Sequence, residues 1–282
     1  MSKLCKNYLS FTFLIMLIGW GLCLLCSFNG NSLDENKWMF VPYLLGGLSP
    51  TIGSYLSLKR NNKVNGMKEW LKNIFDYRHN IVSYILVVFL VLIYILPRCI
   101  ISGYENGAPV FAIIFMIPMM LFGGGLEEAG WRYIFQPELE KKYSFMASTV
   151  IVSVVWWLWH LPLFHILGTA QYGQNYFAFG VNVLGMSFAL ASIRKSTGSV
   201  WLCVLFHCMI NSLSGIYIIH DNIWGNVTAA AVLIICSYAL VKINGRKKIF
   251  HWNRLSWRHP GYWCKWNCRQ SICVKLLLSE NI

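Results

Sequence analysis

Polar residues along this chain are spaced so widely that eight apolar runs stand between them, at about 8–28, 38–57, 80–101, 109–135, 145–164, 176–193, 198–219 and 226–243. An α-helix needs roughly 20 apolar residues to cross about 30 Å of hydrocarbon, so runs of this length predict membrane spans. Gly46, Gly47, Pro50 and Gly53 interrupt the second run, and Gly180 and Gly185 the sixth, so these two are the least regular of the set. The pattern predicts an all-α, polytopic membrane protein of about eight transmembrane helices. It divides into N-terminal helices with a basic loop (1–107), a core of spans (108–243) and a basic tail rich in Trp and Cys (244–282).

Composition agrees with that division: 56% of residues are hydrophobic and only 12% charged, with a mean hydropathy of +0.50. A soluble domain carries about 25% charged residues. Short cytoplasmic loops collect Lys and Arg, and all but Lys37 and Arg98 of the 24 basic residues fall on one side of an eight-span topology. Both termini are therefore expected in the cytoplasm. The net charge of +13 follows from this placement, so nucleic-acid binding is not needed to explain it, and the lipid bilayer is the expected partner. Met67, Trp70, Leu71, Ile74 and Phe75 alternate with Lys68 and Lys72 at helical spacing, which predicts an interfacial helix. The first run follows Lys3 and Lys6 but lacks a small-x-small cleavage pattern, and reads as an uncleaved span. Seven of the ten cysteines sit in or beside spans, where Cys behaves as a small apolar residue. Cys264, Cys268 and Cys273, with His251 or His259, match no standard zinc spacing. The tail reads as a surface-lying or disordered segment without function. Loops rich in Lys, Asn and Ile suggest a bacterial plasma membrane.

Against this apolar background the polar residues inside the spans are the candidates for chemistry, because charge in hydrocarbon is costly and is kept for interiors, cavities or reactions. They are Glu127, Glu128, Arg132, His160, His165, Asn182, His207 and Asn211. Glu128 and Arg132 are four apart and share a helix face, whereas Glu127 is rotated by about 100° and points elsewhere. This division makes Glu128 structural and leaves Glu127 free to react. If the fourth and fifth spans form a hairpin turning near Tyr143 and Ser144, Glu127 and His160 lie at equal depth, about 25 Å from the turn. A contact between them is expected, with the fifth helix ending near Pro162 inside the bilayer. His207 and Asn211 again share a face, while Asn182 and His165 lack such partners.

Three motifs in order, Glu127-Glu128-x-x-x-Arg132, Trp156-x-x-x-His160 and His207-x-x-x-Asn211, resemble those of the CAAX-protease and bacteriocin-processing (CPBP, or Abi) intramembrane proteases, whose eukaryotic member is the Ras-converting prenyl endopeptidase. The resemblance covers about 123–212. Trp156 departs from the family pattern, which usually has Phe, a change expected to matter little. The resemblance implies an intramembrane endopeptidase acting on a membrane-associated CAAX-type or bacterial peptide precursor, with its site open toward the cytoplasmic half. Glu127, near His160, would activate water; His207 and Asn211 would stabilise the oxyanion; Glu128 and Arg132 would support them. His-Glu-x-x-His, Gly-x-Gly-Asp and Gly-x-Ser-Gly motifs are missing. The family is often labelled metalloprotease and zinc remains an alternative, but no cofactor is the favoured reading because Asn211 suits an oxyanion donor better than a ligand. The rival classes are a non-catalytic immunity or scaffold protein and a proton-coupled transporter, the latter disfavoured by the lack of an internal repeat.

Overall fold

The computed structural model describes residues 1–247; the zinc spacing and the tail beyond that point lie outside the described residues. Helix α1 (Lys3–Phe28) starts where the Ser2 hydroxyl caps the Cys5 amide. It buries Tyr8, Thr12, Met16, Trp20 and Cys23 along one face and exposes Leu14, Leu17, Ile18, Leu22 and Leu25 on the other. The buried face packs on α2 (Phe40–Gly47) and α3 (Ser49–Arg60). A Cβ on Gly19 would stand 2.5 Å from the Gly46 nitrogen, so small residues set that approach. The second apolar run is thus broken at Leu48, where its glycines and Pro50 weaken the helix.

Helix α4 (Met67–Ile74) is short and amphipathic, but Trp70 and Ile74 turn inward onto protein, with the Trp70 indole donating to the Ser54 hydroxyl at 3.1 Å. Met67 and Leu71 remain exposed. Helix α5 (Ile81–Ser102), capped by Asn80, leads into strand β1 (Tyr104–Asn106). The fourth apolar run is the most fragmented. It comprises α6 (Ile113–Met119), a 3-10 turn at Gly125–Glu127, α7 (Glu128–Gly130), a π-helical turn at Trp131–Phe135 and α8 (Gln136–Leu139).

Helix α9 (Phe145–Trp159) is capped by Ser144 and ends at His160, before a 3-10 turn over Leu161–His165. Helix α10 (Tyr176–Thr197) runs unbroken between the Asn175 cap and Gly198, whose φ of +74° ends it. Its internal glycines are contact points rather than breaks. A Cβ on Gly185 would lie 2.8 Å from Ala230 and one on Gly180 2.7 Å from the Trp157 ring. Helix α11 (Trp201–Ile216), strand β2 (Tyr217–Ile219) and helix α12 (Ile223–Lys247) complete the described chain.

Among the described residues five helices are long and apolar enough to cross a membrane: α1, α5, α9 with its 3-10 extension, α10 and α12. The all-α polytopic membrane fold is therefore what the hydropathy pattern predicts. Chain direction alternates between two sets of helix ends. At one, Ser2 donates to Glu138 of α8 (2.5 Å) and Lys195 of α10 pairs with Glu140. At the other, β1 pairs antiparallel with β2, joining the ends of α5 and α11. The seven cysteines among the described residues are free thiols.

Candidate active site

Irregular backbone inside a bundle needs side chains to replace its missing hydrogen bonds, because hydrocarbon supplies none. The broken fourth run has three such replacements. Asn211 donates to the Gly123 carbonyl at 2.8 Å, Thr51 of α3 to the Leu126 carbonyl at 2.8 Å, and Arg194 of α10 to the Arg132 carbonyl at 3.1 Å. The break is thereby held from three helices, and the two glutamates sit in its middle.

Both glutamates are buried, Glu127 at 8% exposure and Glu128 at 0%, and they diverge. Oε2 of Glu127 accepts the indole N–H of Trp156 on α9 at 2.8 Å. Oε1 of Glu128 meets Nδ1 of His207 on α11 at 2.8 Å, and its Oε2 lies 3.5 Å from Nε of Arg132. Arg132 is fully buried; its guanidinium donates to the Ser187 hydroxyl of α10 at 3.1 Å and stands 5.0 Å over the Trp156 ring. Glu128 therefore has two basic partners, where helical spacing suggested Arg132 alone.

His160 caps α9, and its Nδ1 lies 2.8 Å from the Trp156 carbonyl. A carbonyl only accepts, so Nδ1 carries the proton and a neutral ring presents Nε2 as an acceptor. Trp159 and Phe179 wall the ring edge-on at 4.7 and 5.0 Å. Glu127 has no direct hydrogen bond to His160; both are tied to Trp156, Glu127 to its indole and His160 to its backbone carbonyl.

His207 and Asn211 share the face of α11 that the glycine turn crosses. Gly124 has φ +132°, and a Cβ there would stand 2.8 Å from Nε2 of His207 and 2.7 Å from Nδ2 of Asn211. Only glycine lets the backbone pass this close to both groups. The structure thus gathers Glu127, Glu128, Arg132, His160, His207 and Asn211 around one backbone break. His165 is exposed beyond the end of α9. Asn182, on α10, keeps a buried Oδ1 without a hydrogen-bond partner. Sequence reasoning missed Trp156 as a polar group, Gly124, Thr51 and Ser187; the run Gly123-Gly124-Gly125 beside the glutamates was the signal available for the second.

Among the described residues no three His, Cys, Asp or Glu side chains are grouped as metal ligands. The donors instead engage one another, and Arg132 places a cation in their midst.

The family model for type II CAAX prenyl endopeptidase, Rce1-like, matches residues 109–213, the stretch holding the break and all three motifs. CAAX prenyl protease 2 of Methanococcus maripaludis is 23% identical over 228 aligned residues, covering 73% of this chain and 82% of that protein.

Proposed function

We propose that this chain, a member of the Rce1-like CAAX prenyl endopeptidase family, is an intramembrane endopeptidase that uses Glu127 as the base for water attack on a peptide carbonyl. The observation that carries this reading is the divergence of the two carboxylates: Glu127 turns toward Trp156 beside His160, while Glu128 is committed to His207 and Arg132. One is left to react and the other holds charge in place.

Water enters between Glu127 and His160. Nε2 of His160 accepts one water hydrogen, and Oε1 of Glu127 removes the other as the water oxygen bonds to the carbonyl carbon. The oxyanion so formed receives hydrogen bonds from Nδ2 of Asn211 and from Nε2–H of His207, whose Nδ1–H is held by the Glu128 carboxylate. Arg132 balances that carboxylate, so an imidazolium at His207 is balanced in turn by the carboxylate of Glu127, and the four groups together are neutral. Collapse of the tetrahedral species breaks the C–N bond, and the proton held by Glu127 passes to the departing amine. Each step runs through side chains alone.

The substrate class we assign is a prenylated, CAAX-type C-terminal segment reaching the site from the cytoplasmic half of the membrane, where the basic helix ends would lie. Purified protein in lipid nanodiscs and a farnesylated CAAX peptide, with products read by mass spectrometry, test this. Glu127→Gln should lose at least about 100-fold in rate with its melting temperature unchanged. Turnover by that variant overturns the reading, and uncleaved peptide with wild-type protein overturns the substrate class. Activity should survive exhaustive chelation; a requirement for stoichiometric zinc would replace the mechanism.

A further inference from the structure

Trp156 touches four residues of the site: Glu127, His160, Arg132 and His207. Its indole N–H holds Oε2 of Glu127, and its backbone carbonyl holds Nδ1 of His160, both at 2.8 Å. Its ring is covered by the Arg132 guanidinium at 5.0 Å and meets the edge of His207 at 5.6 Å. It is 1% exposed, so neither hydrogen bond competes with bulk water. A phenylalanine, the usual residue of the family motif, would keep the packing and the backbone bond but lose the donor.

We propose that Trp156 is a positioning residue that selects the reactive oxygen of Glu127. A carboxylate has two equivalent oxygens and turns about its last torsion through a broad, two-fold well. The indole bond removes that freedom by occupying Oε2, and leaves Oε1 as the base, with the Trp131 indole a further polar neighbour of the carboxylate at looser range than Trp156. The same residue sets His160 through its carbonyl, so base and water-orienting imidazole are referred to one rigid ring. A cation on the face of an indole draws electron density from the ring and makes its N–H a better donor. Arg132 thereby strengthens the bond to Glu127 while pairing with Glu128, and the two glutamates are coupled through Trp156 without touching. This role rests on Glu127 being the base.

Replacing Trp156 by 3-benzothienylalanine, an isostere with sulfur in place of N–H, separates donor from shape; Trp156→Phe reproduces the family residue. With the farnesylated CAAX peptide, both variants should lower kcat by roughly 10- to 100-fold, the cost of a misaligned reacting group. KM should change by less than about twofold, since ground-state binding is untouched. Wild-type kcat in the isostere overturns the proposal, as does a loss that appears in KM alone. A readout independent of turnover is the indole N–H resonance of Trp156 in the 15N-labelled full chain, assigned by its disappearance in Trp156→Phe. It should move upfield in Glu127→Ala, and an unmoved resonance also overturns the proposal. Glu127→Gln distinguishes the two levels of failure: hydrolysis surviving it removes the base and this role together, whereas hydrolysis lost in it but intact in the isostere removes the positioning role alone.

Discussion

Helix α1 and the segment from α6 to α8 are of comparable length and similarly apolar, yet one is a single helix of 26 residues and the other is divided into pieces of at most seven. Helix α1 exposes much of its surface and needs nothing from its neighbours beyond close packing, because its own ladder satisfies its backbone. The broken segment lies where α3, α10 and α11 can reach it, and each sends a side chain to a stranded carbonyl. Interruption marks the part where neighbours have taken over the backbone's hydrogen bonds, and there the freed geometry turns two consecutive glutamates toward different helices.

This contrast can be broken at graded cost. Arg132→Met strips Glu128 of one of its two cations and Ser187 of its donor, and should destabilise the protein by about 3–5 kcal/mol, read by thermal unfolding in detergent. A change below about 1 kcal/mol would put the pair among dispensable charges. Gly124→Ala should lower kcat about 100-fold, or about 2.7 kcal/mol of barrier, because the added methyl displaces Nε2 of His207 and Nδ2 of Asn211. Its melting temperature should fall as well, because a residue with a Cβ rarely adopts φ +132°. Thr51→Val removes the side-chain donor to the Leu126 carbonyl and should cost about 0.5–1.5 kcal/mol, largely restored by Thr51→Ser. Leu17→Ala, on the exposed face of α1, should stay within about 0.5 kcal/mol. If Thr51→Val proves as mild as Leu17→Ala, the break does not depend on its caps.

How far the chain could be read in advance follows the same line. The helices α1, α5, α9, α10 and α12 each begin within about five residues of the apolar run that predicted them, since burial in lipid or core needs only hydrophobicity and length. Helical spacing also separates Glu127 from Glu128, because a rotation of about 100° survives the change from 3-10 turn to α-helix. The partners were harder. His207 reaches Glu128 across 79 positions, a pairing no local period records. Thr51 and Ser187 are small hydroxyl residues of a kind common in membrane helices, and only the position of the stranded groups singles them out. Trp156 was counted as apolar although one edge carries a donor. Gly180 and Gly185 read as weak points because glycine lowers helix propensity, but tertiary packing against Trp157 and Ala230 outweighs it.

The short ladder between β1 and β2 has a consequence of its own. It pairs Tyr104 with Ile219 and Asn106 with Tyr217, and is extended by Gly107 donating to Ile216 and Ala108 to Gly215. The stretch from Ala108 to Gly215 therefore begins and ends at one place, its two ends joined by a backbone hydrogen bond. A stretch whose ends adjoin is a cassette: it can be exchanged for the matching stretch of a relative across this clasp without rerouting the chain on either side.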